Sequence, residues 1–277
     1  MEVMILMTTY RQKYINNLVS TISSTSNILS FPIKINPVMR CAKKHCCNNL
    51  YFIKYTDFAS SLGTSIEGAK LQLYSNDGRI MYDNSTNKTY IYYNDTHPKY
   101  RIRWNISHEL GHLFLNHIHE KLKASKHNLN LSKLRLSEME EEANYFAKML
   151  IAPLPVVVQF LSYYKLNTFE GTYTILRSIF HLSQEASYYY ALQMVKEQRI
   201  KFDIKTVEPF IPFITNFIKN YNYNAMNILK QKYIPEIPYV QKRILNKKLF
   251  LPTFTTNNTE KIDNILYNIF YKEALYS

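Results

Sequence analysis

The sequence predicts an α+β fold: a small antiparallel sheet packed on two long helices, with further helices toward the C-terminus. Three observations carry this. Residues 70–93 hold short aromatic or β-branched runs split by Asn/Asp/Gly turns such as Asn76-Asp77-Gly78. Residues 101–119 and 137–151 carry apolar side chains at helical period. Beyond Pro155 the chain is rich in helical stretches punctuated by prolines, with no internal repeat.

Taken in order, residues 8–24 read as a helix, followed by a loop through Pro32 and Pro37. Residues 51–62 look helical and stop at Gly63, a C-cap residue. Lys70–Tyr74, Arg79–Tyr82 and Thr89–Tyr93 are the expected strands, and Asp95–Pro98 turns the chain out of the sheet. Arg101–His119 is expected as one helix, with Leu110, Leu113, Phe114 and Ile118 toward the core. A polar stretch, residues 121–132, reads as a surface loop. Ser137–Ile151 is a second helix with the apolar stripe Met139, Ala143, Phe146, Ala147 and Leu150, and it is stopped by Pro153 and Pro155. Further helices are expected at residues 155–164, 172–180 and 183–196. The expected organisation is an N-terminal extension (1–49), a catalytic domain (50–199) and a mainly helical C-terminal region (200–277).

Net charge is +13, with 34 basic against 21 acidic residues. The basic residues are scattered, without a run of five or six and without a helix-turn-helix, OB or zinc-knuckle pattern. A generally basic surface, with no direct nucleic-acid partner, is therefore expected. Cys41, Cys46 and Cys47 cluster around His45 in CAKKHCC, a poor disulfide framework and a poor match to zinc ligands drawn from two separated segments. No stretch of eighteen apolar residues occurs, and the N-terminal apolar patch lacks a preceding basic region and a cleavage site, so no membrane partner and a cytoplasmic location are expected.

The chemistry concentrates in His108-Glu109-Leu110-Gly111-His112, an H-E-x-x-H sequence. On a helix, positions four apart point the same way, so both imidazoles can reach one ion. Glu109 projects beside that ion and is the candidate general base, holding a water without ligating the metal. A catalytic zinc needs a third ligand and an open position. His117 lies five residues past His112, about 140° away round a regular helix, and with His119 reads as a surface or supporting histidine. The better source is the second helix, where Glu140-Glu141-Glu142 precedes a small-residue stripe. Glu140 and Asn144 share a face, so one can ligate while the other hydrogen-bonds a ligating histidine. Glu140 is the first candidate, with Glu141 and Glu142 behind it. Ser137-x-x-Glu140 is also a capping box, which would turn Glu140 back onto its own helix. Tyr93 and Tyr145 are able donors for an oxyanion, and the sequence does not choose between them.

Together, Arg101–His112 and the run EEEANYFAKMLIAP resemble the ImmA/IrrE metallopeptidases, whose pattern is a HELGH helix followed by E-x-E-A-N-x-F-A-x-x-L-L-x-P. Gly78–Asn94 is similar to the strands that precede that helix, and residues 179–186 to the family's closing helix pair, so the likeness covers about residues 50–195. It implies a zincin-like fold and one Zn2+ per chain, with His108, His112 and Glu140 as ligands and Glu109 as general base. It also implies a protein substrate, a helix-turn-helix DNA-binding repressor of a phage, mobile element or stress regulon, cut at one site. A non-catalytic antirepressor that keeps the zinc and only binds its target is the alternative. No fused helix-turn-helix precedes the domain, so the target would be a separate chain.

Overall fold

The computed structural model describes residues 9–28, 30–45, 49–126, 131–196, 207–220 and 222–249. They fall into two compact units, residues 1–29 with 33–153, and residues 30–32 with 154–277. The boundary expected near residue 200, like Cys46 and Cys47, lies outside the described residues.

The first unit opens with α1 (Thr9–Thr25), whose Ile15, Val19 and Ile22 recur at helical period and are buried. The expected loop through Pro37 is instead α2 (Ile35–His45). Proline is accommodated there because the first-turn N–H groups have no partner inside a helix. Cys41 sits on this helix, buried and free. The segment expected as one helix up to Gly63 divides into β1 (Leu50–Lys54) and α3 (Tyr55–Ser61). Leu50 is buried while Tyr51 is exposed, the alternation of a strand with one face covered. Gly63 does supply the left-handed residue after the helix, at φ +62°.

The expected strand at residues 70–74 is helical. α4 (Ile66–Leu73) starts where the Ser65 hydroxyl accepts the Gly68 N–H at 3.2 Å, and it buries Ala69 and Leu73, four residues apart. β2 (Gly78–Asp83) and β3 (Lys88–Tyr93) form as expected. The sheet order is β1-β3-β2, with β2 antiparallel to β3 and β1 parallel to it, so the sheet is mixed rather than wholly antiparallel. The parallel pairing arises because α3, α4 and β2 carry the chain back before β3 runs alongside β1.

The long helix expected over 101–119 is two. α5 (Lys99–Phe114) ends at Leu115-Asn116, where Asn116 takes φ +64°, and α6 (His117–Lys126) restarts through much of the expected surface loop. Asparagine tolerates this left-handed conformation better than most residues. α7 (Lys133–Ile151) starts a turn earlier than the sequence suggests, with Ser132 accepting the Arg135 N–H at 3.0 Å. Its stripe is as expected: Met139, Ala143, Phe146, Ala147 and Leu150 are all buried, and α7 packs along α5. Each such large side chain contributes about 1.5–3 kcal/mol on leaving water. At the contact Gly111 faces Ala143, where an added Cβ would stand 3.0 Å from the Ala143 Cα. The α+β, zincin-like class is the one observed.

The second unit is helical: α8 (Leu154–Tyr163), α9 (Phe169–Ser178), α10 (Gln184–Lys196), a 3-10 turn at Glu208–Phe210, α11 (Ile211–Asn220), α12 (Tyr223–Tyr233) and α13 (Glu236–Leu249). Its core includes a ring cluster of Phe31, Phe160, Phe180, Phe210, Phe213 and Phe217. No single helix among the described residues is long and apolar enough to cross a membrane.

Candidate metal centre

The i, i+4 spacing of His108 and His112 on α5 turns both rings to one side, and their Nε2 atoms stand 3.2 Å apart. α7 brings Glu140 against them, with one carboxylate oxygen 3.3 Å from His108 Nε2 and the other 3.5 Å from His112 Nε2. Donors held about 2.0–2.1 Å from one zinc at tetrahedral angles stand about 3.3 Å from each other. The three side chains therefore offer the spacing and the donor types of such a site, two imidazoles and a carboxylate. Glu140 lies mid-helix, eight residues into α7, so it is not a cap. The box proposed for Ser137 is absent because Ser132 holds that position. Glu141 and Glu142 are rotated round the helix from Glu140, and Glu142 turns to a different partner.

The rings are aimed by groups behind them. Asn144 Oδ1 lies 2.9 Å from His108 Nδ1. An acceptor there draws the ring proton to Nδ1 and leaves the Nε2 lone pair facing Glu140. His112 Nδ1 lies 3.0 Å from His117 Nδ1, and His117 Nε2 lies 2.8 Å from Glu142 Oε2. Arg11 of α1 donates to that same oxygen at 2.7 Å, and Arg135 to the other at 3.4 Å. His117 is wholly buried, whereas His119 is exposed.

Burial sets much of the electrostatics. It pushes His112 down to about 4, so that this imidazole is neutral with a lone pair to offer. Burial acts the same way on His108, but the neighbouring Glu140 and Glu109 carboxylates outweigh it and leave the ring raised. Glu140 is held well below the usual carboxylate range, its partial burial overcome by the two imidazoles. Glu142 is lowered to about 2, because His117 and Arg11 outweigh its burial.

Glu109 sits one residue along α5, buried, with Oε2 accepting the Ile80 N–H of β2 at 2.8 Å. Burial raises its carboxyl to about 7, where it can both take and return a proton near neutrality. At Gly78 a Cβ would stand 3.0 Å from the Tyr92 carbonyl oxygen of β3, while its 3.7 Å distance from Glu109 Oε1 is an ordinary contact. β2 is an edge strand, and Ile80 turns its N–H outward to Glu109 rather than to β3.

The structure thus brings together all four residues singled out from the H-E-x-x-H and glutamate runs, with Asn144 behind His108. Sequence reasoning missed the roles of Arg11, Glu142 and the Ile80 N–H. Periodicity carries no signal for an arginine 131 residues before its partner Glu142. For His117, the signal was the asparagine before it, a residue prone to break the helix and reset its phase.

Residues 59–186 match the model of a peptidase family described as the IrrE N-terminal-like domain. That segment contains α5, α6 and α7 but not α1 or β1. The search of curated proteins finds no match.

Proposed function

Because residues 59–186 form a domain of the IrrE N-terminal-like peptidase family, we propose that the chain is a zinc-dependent, site-specific endopeptidase acting on a helix-turn-helix transcriptional repressor in the cytoplasm. The observation that carries the chemistry is the convergence of His108 Nε2, His112 Nε2 and a Glu140 oxygen within 3.5 Å contacts, with Glu109 alongside. These three side chains would hold the ion, leaving a fourth position for water and substrate. When bound, zinc supplies Lewis-acid polarisation of the scissile carbonyl and brings the pKa of water down toward about 7.

The remaining work falls to the chain. Glu109, raised to about 7 and held by the Ile80 N–H, takes a proton from the attacking water and returns it to the departing amine. The repressor as substrate rests on the family resemblance. The +13 charge is assigned to a basic surface and not to direct DNA binding, and no membrane partner is invoked.

The test is to incubate the purified protein with repressors encoded beside its gene, with and without a chelator, and to identify fragments by mass spectrometry. One discrete, chelator-sensitive cut is expected. A repressor that is bound and released from DNA without any fragment would replace this reading with a non-catalytic antirepressor. No cleavage and no binding would refute both.

A further inference from the structure

The hydrogen-bond chain behind His112 is more extended than a metal ligand needs, and it ends on a helix outside the matched domain. His112 Nδ1, His117 Nδ1, His117 Nε2, Glu142 Oε2 and Arg11 Nη2 follow one another at 3.0, 2.8 and 2.7 Å across the three bonds. His117 is fully buried and Glu142 nearly so. Proton bookkeeping along the chain has one neutral solution. A carboxylate only accepts, so His117 donates from Nε2. Its Nδ1 then carries a lone pair, so His112 must donate from Nδ1. The His112 Nε2 lone pair is thereby turned toward His108 and Glu140. The break at Asn116 makes this geometry: a continuous helix would carry His117 about 140° away from His112.

We propose that Arg11, Glu142 and His117 are positioning residues for His112, and that the N-terminal helix α1 is a working part of the metal centre. This rests on the reading that His112 ligates zinc. Arg11 anchors the carboxylate oxygen on which His117 leans, and Arg135 braces the other oxygen. Without Arg11 the carboxylate can swing, His117 loses its fixed partner, and His112 loses the bond that selects its tautomer and ring angle. His108 has the equivalent service from Asn144 inside α7 itself. His112 has it from His117, whose partner Glu142 is held in turn by Arg11 of α1, outside residues 59–186, so a change in α1 reaches the metal without touching a ligand.

The test uses the full-length protein, zinc affinity by chelator competition, and the visible spectrum of the Co2+-loaded protein. Metal-free unfolding curves accompany each variant. His117→Ala is expected to weaken zinc binding about 10–100-fold, and Arg11→Met about 10-fold, both with a changed Co2+ spectrum. Arg11→Lys should recover most of the affinity. Arg11→Gln, which keeps a donor without the charge, replaces the methionine variant should that one not fold. Once His117 is alanine, adding the Arg11 change should cost nothing more, because residues acting through one chain are not additive. Wild-type affinity and spectrum in a folded Arg11 variant, or fully additive losses in the double variant, would overturn the inference while leaving the metal reading intact. A wild-type protein that takes up no zinc would instead bring down the metal reading itself.

Discussion

Gly111→Ala adds one methyl where α5 and α7 touch. The new Cβ would stand 3.0 Å from the Ala143 Cα, 3.1 Å from the Ala143 carbonyl oxygen and 3.3 Å from the Phe146 Cβ. Ordinary carbon contacts are about 3.5–4.0 Å, and two of these three partners are backbone, which no rotamer change can move aside. Alanine in place of a mid-helix glycine gains about 0.8–1.0 kcal/mol, while overpacking a filled core costs about 1–3 kcal/mol. The expected net loss is about 1 kcal/mol, a fall of about 2–4 °C in melting temperature for a unit of this size. The larger consequence is at the metal centre. Glu140 and Asn144 flank Ala143 on α7, so displacing that helix draws both away from His108 and His112. Zinc affinity, read by chelator competition, should fall by more than the stability loss accounts for. A Gly111→Ala protein that melts higher and binds zinc as tightly as wild type would show slack between the helices and refute the argument.

Three further outcomes follow from the same geometry. Glu109→Gln keeps an oxygen for the Ile80 N–H, so zinc content and melting temperature should stay while repressor cleavage falls about 10²–10⁴-fold; cleavage at the wild-type rate would remove Glu109 from the reaction. Ser132→Ala should cost about 1 kcal/mol in thermal unfolding because Ser132 caps α7, whereas Ser137→Ala, inside the helix, should cost little; the reverse order would restore the capping box. Asn116→Ala should cost about 1–2 kcal/mol through its left-handed backbone and loosen zinc through His117, whereas Asn116→Gly should keep the break; an alanine variant as stable and as tight as wild type would contradict this.

What was legible in the sequence followed from periodicity and spacing. The stripe on α7 and the i, i+4 histidines on α5 are local patterns, and the residues they named lie where expected. The misreadings were also local. Lys70–Tyr74 reads as a strand because it is a short run closed by the Asn76-Asp77-Gly78 turn, but Ser65 and Glu67 start a helix ahead of it, with Lys70 bonded to Glu67 at 2.6 Å. The helical reading of residues 51–62 ignored that Tyr51-Phe52-Ile53 are strand formers awaiting a partner, and that partner, β3, is some forty residues away. Arg11 on Glu142 is further still in sequence, and such a pair has no signature in any window. Ser137 drew the start of α7 four residues too late because a capping-box pattern can occur inside a helix whose true cap, Ser132, precedes it.

The central claim, that His108, His112 and Glu140 hold one metal ion, is tested most directly by equilibrium dialysis of zinc against wild type and Glu140→Gln. One zinc per wild-type chain is expected. The variant should lose most of its affinity, because the anionic oxygen that offsets the ion's charge is gone, while its metal-free fold persists since Glu140 caps nothing. Glu141→Gln should bind as wild type does, its side chain being turned about 100° further round α7. Wild type without zinc, or zinc retained in Glu140→Gln and lost in Glu141→Gln, would contradict the account.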